Sequence, residues 1–311
     1  MPCISPLIAH QTHPGAPVKI IAGWRKALHD VNIGLAGNLA LPCGTCSQCR
    51  LERARQWAMR IVSEVQFHPA GTSWFLTLTY RDNALPPKIT GSDRHTLYPS
   101  HLQKFWKMLR KTQKIRYFAC GEYGERTLRP HYHACVFNLN LTDLQPLSGS
   151  SVSNQAYDPL DPFHTPPVGL RFSPLLNKLW GRGMVALGSV TFDSASYVAN
   201  YAQKRLYGKK KPIHETYQAE FSRCSLKPAI GDPAFKKFVL TDFINGIYTL
   251  PDGTRCSIPK RWLGLLKDGY PDAYESVRTQ REKNLRPLTA QELHALELNR
   301  RPGLLTERNS Q

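Results

Sequence analysis

Residues 115–137, IRYFACGEYGERTLRPHYHACVF, hold two strand-like runs separated by a turn. The runs are Ile115 to Gly121 and His131 to Phe137, and Gly124 and Pro130 punctuate the segment between them. The pattern predicts a β-hairpin with a long tip. Strand side chains alternate, so His131 and His133 share one face while Tyr132, Ala134 and Val136 share the other. The apolar set is expected to bury against helices, leaving the two imidazoles on an open face. Glu122 closes the first strand and reaches the same place across the hairpin. Two neutral imidazoles and a carboxylate suit a divalent ion that keeps open coordination positions. The competing expectation is a pair of surface histidines with no ligand role.

A second stretch bears on that choice. Residues 193–210, DSASYVANYAQKRLYGKK, predict a helix with Asp193 or Ser194 as its N-cap. Tyr197, Tyr201 and Lys204 fall at i, i+4 and i+7, on one face. Ala195, Val198 and Ala202 already supply an apolar stripe for packing, which leaves two tyrosines and a lysine for other work.

Together these residues resemble the HUH endonucleases, the rolling-circle replication initiators and their relatives. That family combines an apolar strand, a His-hydrophobic-His strand and a helix carrying YxxK. Here they correspond to Phe75-Leu76-Thr77-Leu78-Thr79-Tyr80, His131-Tyr132-His133 and Tyr201-Ala202-Gln203-Lys204. Glu122 stands nine residues before the first histidine, where similar initiators place a third metal ligand. The paired tyrosines are similar to those of microvirus initiators. The segments MPCISPL, PCGTCSQCRLERARQWAMR and RPHYHACVFN most resemble the gokushovirus branch of single-stranded DNA phages. The likeness covers residues 1–240.

The resemblance implies an enzyme that nicks one strand of the viral origin through a tyrosine. It would leave a 5′-phosphotyrosine link and a free 3′-OH primer for rolling-circle replication, then rejoin the strand. It implies Mg²⁺ or Mn²⁺ held by His131, His133 and Glu122, with Tyr201 and Tyr197 as nucleophiles and Lys204 neutralising charge beside Tyr201. It further implies single-stranded or origin DNA as partner, host helicase and polymerase as collaborators, and the bacterial host cytoplasm as location. One departure stands out: Tyr197 has Asn200 at its i+3 position, where comparable two-tyrosine initiators often carry a basic residue. Plasmid relaxases and single-strand transposases share this chemistry. A rival of another class is a non-catalytic, zinc-stabilised nucleic-acid-binding protein with structural histidines.

Composition narrows the partner independently. The 311 residues carry 41 Lys and Arg against 23 Asp and Glu, a formal charge of +18, with a pI near 9.7. Such a balance favours a polyanion. No apolar run reaches the ~18 residues of a membrane span and no export signal opens the sequence, so nucleic acid is expected rather than a membrane. Of eight cysteines, Cys120, Cys135, Cys224 and Cys256 stand singly and are expected as buried thiols. Cys43, Cys46 and Cys49 form C-x2-C-x2-C, able to hold Zn²⁺ if a fourth ligand arrives. Cys3 is the first candidate for that place, followed by His10, His13 and His29. The cluster also matches half of a zinc-deaminase signature, but no HxE precedes it, which sets deamination aside. No Walker motif or Gly-rich nucleotide loop is present.

The remaining elements follow in order. Residues 1–70 are expected as an arm holding a short strand at Val18 to Ile21, the cysteine cluster, and a helix from Arg50 to about Phe67. Residues 71–211 are the expected core, opened by a strand from Ser73 to Tyr80 whose threonine face lies toward the histidine strand. A helix follows, capped by Ser100 with Gln103 at N3. Its outer Lys104, Lys107, Arg110 and Lys111 are expected to contact the DNA backbone, with Arg126 and Arg129 on the hairpin tip as phosphate clamps. Residues 141–168 are expected as a surface insertion. A short helix from Leu175 to Trp180 and a strand from Met184 to Phe192 then lead into the tyrosine helix. Residues 212–311 form an expected C-terminal extension with helices starting near Ser257 and Thr289. The predicted fold is α+β, an antiparallel, RRM-like sheet of about five strands with helices on one face.

Overall fold

A computed structural model describes residues 3, 6–13, 16–23, 39–124, 127–147, 169–201, 217–241, 243 and 246–283. They divide into two compact units, one up to Arg53 together with those from Arg281, the other from Ala54 to Gln280. The first unit holds a three-stranded antiparallel sheet of β1 (Leu7–His10), β2 (Lys19–Gly23) and β3 (Leu39–Leu41), in the order β2-β1-β3. It also holds the cysteine cluster at the start of helix α1 (Ser47–Val65).

The second unit is built on an antiparallel sheet of seven strands in the order β10-β5-β6-β4-β9-β8-β7. The long members are β4 (Trp74–Leu78), β5 (Arg116–Tyr123), β6 (Pro130–Phe137), β9 (Val185–Ser189) and β10 (Phe221–Cys224). The two-residue strands β7 (Gln145–Pro146) and β8 (Arg171–Phe172) flank the expected insertion and add one edge. The other edge, β10, comes from beyond residue 212. The α+β class and antiparallel pairing are therefore as expected, and the sheet is two short strands wider.

Helices lie over both faces rather than one. On one face Trp74, Leu76, Leu78, Tyr132, Ala134 and Val136 pack with helices α2 (Pro99–Leu109) and α3 (Pro174–Trp180), through Leu102, Phe105, Leu109, Leu176 and Trp180. On the other, Phe118, Cys120, Cys135 and Phe137 pack with Ala58 and Ile61 of α1 and with Ala195 and Val198 of α4 (Phe192–Tyr201). The reason is in the hairpin itself. Cys135 and Phe137 share the histidines' face, so β5 and β6 are apolar on both sides and each side must be covered. Burying a phenylalanine such as Phe137 fully contributes about 1.5–3 kcal/mol. The histidine face is consequently not open.

Local chemistry sets the helix starts. Pro99 occupies the first turn of α2 with Tyr98 as N-cap, so Ser100 lies inside the helix and the expected Ser100–Gln103 capping box is not formed. The N-cap of α4 lies upstream of the expected Asp193 or Ser194. The Thr191 hydroxyl accepts from the Ser194 N–H at 3.1 Å, and the Ser194 hydroxyl accepts from the Thr191 N–H at 2.8 Å, a reciprocal cap.

A further core sits beside the sheet. Helices α5 (Asp232–Phe238), α6 (Lys260–Gly269) and α7 (Pro271–Lys283), with the hairpin β11 (Ile247–Thr249) and β12 (Arg255–Ser257), gather Phe235, Phe243, Tyr248, Trp262, Leu266 and Val277 around Met59 of α1. Fully buried Glu64 ties this region to the sheet. It accepts from the Arg116 guanidinium on β5 and, at 2.6 Å, from the Gly231 N–H. Gly231 has φ +82°, and a Cβ there would lie 2.9 Å from the Arg60 carbonyl oxygen, so only glycine allows the approach. No described helix is long and apolar enough to cross a membrane.

Candidate functional site

Hairpin register brings the first three site residues together. Glu122 pairs directly with His131, Cys120 with His133, and His133 with Thr77 of β4 on its other side. Directly opposed antiparallel residues share a face, so Glu122, His131, His133 and Thr77 form one cluster. Glu122 Oε1 lies 2.7 Å from His131 Nε2 and 2.9 Å from His133 Nε2. All three ligating atoms fall within 4.8 Å of one another. Glu122 is 1% exposed and His133 5% exposed, whereas His131 is half-buried.

The far side of each ring is held as well. The His131 Nδ1 lies 3.1 Å from the Arg129 carbonyl oxygen. A carbonyl can only accept, so Nδ1 carries the proton, and in the neutral ring the Nε2 lone pair points at the cluster. His133 Nδ1 lies 3.0 Å from the Thr77 hydroxyl, which likewise turns Nε2 inward. Glu122 Oε2 is buried and accepts no hydrogen bond among the described residues. An orphaned carboxylate oxygen beside two inward imidazole nitrogens is the donor set a divalent cation fits.

The charges agree with this layout. Burial pushes the Glu122 carboxyl up, but the His131 and His133 side chains outweigh it and hold it below the ordinary value. Burial pulls His131 down, yet hydrogen bonds to Glu122 and the Arg129 carbonyl raise it overall. His133 is buried more deeply, and desolvation prevails over Glu122 to leave it lowered.

Tyr197 completes the cluster from α4. Its ring is 5.0 Å from the His133 ring, edge to face at 89°, and 6.3 Å from Phe75. The side chain is 41% exposed, so the same ring touches the histidine and solvent. Tyr201 ends α4 one turn later, but its side chain, Lys204 and Arg126 lie outside the described residues. Arg129 is bound elsewhere: its guanidinium donates to Asp82 Oδ1 at 2.6 Å and to the Tyr80 carbonyl at 2.8 Å. It braces the backbone carbonyl that orients His131. Lys104, Lys107 and Lys111 are exposed, and α2 covers the face opposite the histidines. The structure thus unites Glu122, His131, His133 and Tyr197 and separates the α2 lysines from them. Thr77 and the Arg129 carbonyl went unassigned as ring partners in the sequence. The only signal for Thr77 was the phase of the Thr77, Thr79 alternation against Trp74, Leu76 and Leu78.

The first unit holds a second candidate centre. Cys3 Sγ is 3.6 Å from Cys43 Sγ and 3.7 Å from Cys46 Sγ, and Cys49 completes a group within 4.8 Å. Sulfurs at about 2.3 Å from a tetrahedral zinc ion stand about 3.8 Å apart, so the spacing fits that geometry. The Cys46 N–H points at Cys43 Sγ and the Cys49 N–H at Cys46 Sγ, at 3.3 and 3.4 Å. Burial pushes the Cys43 thiol up, but donors from Thr45, Cys46 and Cys3 bring it down to about 6. Burial and the neighbouring thiols push Cys49 up to about 12.

The family model for replication-associated protein ORF2/G2P matches residues 73–206, which span the β4 strand, the histidine hairpin and the tyrosine helix. Replication-associated protein ORF2 of Spiroplasma virus 4 is 34% identical over 214 residues, covering 66% of this chain and 62% of that protein. Replication-associated protein VP4 of Bdellovibrio phage phiMH2K is 32% identical over 246 residues, covering 76% of this chain and 70% of that protein. Replication-associated protein ORF4 of Chlamydia phage 1 is 29% identical over 174 residues, covering 53% and 38%. The matched region therefore spans less than two thirds of the Spiroplasma and Chlamydia phage relatives. No solved structure matches. On these grounds the chain belongs to the family of phage replication-associated proteins found in the microviruses.

Proposed function

We propose that the chain initiates replication by nicking one strand of the viral origin through a tyrosine and later rejoining it. The carrying observation is the half-exposed Tyr197 ring, its centre 5.0 Å from that of His133 in the Glu122–His131–His133 cluster. A phenol with pKa near 10 is a poor nucleophile at neutral pH, so the reaction needs charge stabilisation close to the attacking oxygen. His131, His133 and Glu122 would hold Mn²⁺ or Mg²⁺, and the imidazole pair favours Mn²⁺; bound there, the ion would polarise the phosphoryl oxygens.

The chain's own groups do the rest. The tyrosine oxygen forms a bond to phosphorus and gives up its proton, while the bond from phosphorus to the 3′ oxygen breaks and that oxygen takes up a proton. The product is a 5′-phosphotyrosine and a free 3′-OH, and the retained ester energy permits rejoining without ATP. Lys204 would neutralise the phosphate beside Tyr201. Two tyrosines one turn apart let one molecule stay attached through the first and cleave the regenerated origin with the second. The free 3′-OH would serve the host polymerase, with a host helicase opening the duplex, inside the infected bacterial cell. We assign Zn²⁺ to Cys3, Cys43, Cys46 and Cys49 as a structural ion.

The test is incubation of the protein with single-stranded DNA spanning the origin and Mn²⁺, read on a denaturing gel. A protein band shifted by covalent DNA is expected. The Tyr197→Phe/Tyr201→Phe double variant is expected to bind the DNA without forming the adduct. If it still nicks, the tyrosine assignment is wrong.

A further inference from the structure

From Arg94 to Gly121 the sequence holds seven lysines and arginines and no aspartate or glutamate. Only Arg116 of the seven is spent on an internal ion pair among the described residues, with Glu64. Lys104, Lys107, Arg110 and Lys111 line the exposed side of α2 and its C-terminal end. There they border an open cleft of about 350 Å³, lined by Gln103, Trp106, Lys107, Arg110, Lys111 and Tyr117. Its aromatic wall is ordered: Trp106 and Tyr117 stack at 4.5 Å and 12°, and the Arg110 guanidinium lies 5.1 Å from the Tyr117 ring centre.

The position of this cleft matters as much as its charge. Tyr117 pairs with Val136, and both belong to the face covered by α2, whereas His131, His133 and Glu122 belong to the other. A seven-stranded sheet therefore separates the cleft from the tyrosine. DNA bent into the histidine cluster cannot touch both places with the same phosphate.

We propose that this cleft is a second, sequence-independent binding site for the sugar–phosphate backbone of single-stranded DNA. It would hold strand distant from the scissile phosphate on the back of the sheet. Lysines and arginines along one helix match a phosphodiester track, and contacts of this kind position a strand without reading its bases. The cleft is at the small end of ligand-pocket sizes, which suits one nucleotide of a single strand rather than the width of a duplex. The inference rests on the reading that the chain acts on DNA, but not on which residue cuts it.

The test uses the full chain and a labelled single-stranded oligonucleotide of arbitrary sequence, with affinity measured against salt. Lys104→Gln/Lys107→Gln/Arg110→Gln/Lys111→Gln is compared with wild type. Four lost phosphate contacts on a single strand make the slope of log affinity against log salt shallower by about 3. A control removes four exposed cations elsewhere, Lys236→Gln/Arg255→Gln/Lys260→Gln/Lys267→Gln, and is expected to change the slope far less. A charge-keeping variant, Lys104→Arg/Lys107→Arg/Lys111→Arg, is expected to retain it. Equal slopes in wild type and the α2 variant overturn the inference, and so does an equal loss in the control, which would reduce the effect to net charge. If the α2 variant instead loses binding to phosphatidylserine vesicles while its oligonucleotide slope stands, the face is a membrane surface and the inference fails. The covalent adduct reports on the tyrosine reading separately, since the slope is measured without cleavage.

Discussion

At the scale of single residues, the sequence sets the two tyrosines apart, with Asn200 three residues after Tyr197 and Lys204 three residues after Tyr201. Tyr197 meets His133 edge to face, while YxxK belongs to Tyr201, whose side chain lies outside the described residues. On the reading proposed above Tyr197, whose ring centre stands 5.0 Å from that of His133, is the first to attack, because effective concentration falls steeply with misplacement. Tyr197→Phe is therefore expected to reduce first-round adduct to background, and Tyr201→Phe to leave it, with the modified residue located by peptide mapping. Finding the wild-type link on Tyr201 alone would reverse the assignment. Thr77 offers a second residue-scale expectation. Its hydroxyl meets His133 Nδ1 at 3.0 Å and fixes which nitrogen faces Glu122. Thr77→Val keeps a β-branched strand residue but removes that partner, so Mn²⁺ affinity measured by titration calorimetry is expected to fall about 10–100-fold. An unchanged affinity would mean that the ring is held by packing against Phe75 instead, 5.5 Å away.

At the scale of elements, the hairpin was legible because its period is two and its turn residues are unambiguous; the register that sets Glu122 against His131 follows from those strand limits. The covering of its histidine face is also written there, in Cys135 and Phe137, which continue the histidines' alternation as apolar residues. Contacts across long sequence separations were not legible. Cys3 stood first among several candidates for the fourth place in the cysteine group, and nothing adjacent to Glu64 in the sequence names its distant partners. In the fold Glu64 is fully buried between Arg116, His68 and the Gly231 N–H, joining α1, β5 and the turn before α5. Removing its charge strands a buried guanidinium, so Glu64→Gln is expected to cost about 3 kcal/mol in urea unfolding at neutral pH. Burial alone would raise this carboxyl, but His68, Arg116 and Gly231 hold it below the ordinary value. With the folded value depressed, the stabilisation is complete above the unfolded carboxylate pKa of about 4.3 and is lost as pH falls through the folded value. Wild type should therefore lose more stability than Glu64→Gln on acidification below about pH 4, and parallel acid limbs would deny Glu64 that role.

At the scale of the whole chain, there are two donor sets of opposite character. Four sulfurs from Cys3, Cys43, Cys46 and Cys49 belong to one compact unit, and the two imidazoles and carboxylate of His131, His133 and Glu122 to the other. Thiolates select zinc, and a nitrogen–oxygen set with open positions accepts Mn²⁺ or Mg²⁺. Because no residue is shared, loading of one should not require the other. Cys43→Ser is expected to release the zinc equivalent to a chromogenic chelator while Mn²⁺ binding, followed by electron paramagnetic resonance, persists. His131→Ala/His133→Ala is expected to do the reverse. Zinc loss with Cys43→Ser should also lower the unfolding temperature of the N-terminal strands selectively, since a structural ion contributes its binding energy to the fold it closes. If either variant empties both centres, the two sites are coupled through folding, and the zinc group is then part of what holds the histidine hairpin in shape rather than a separate clasp.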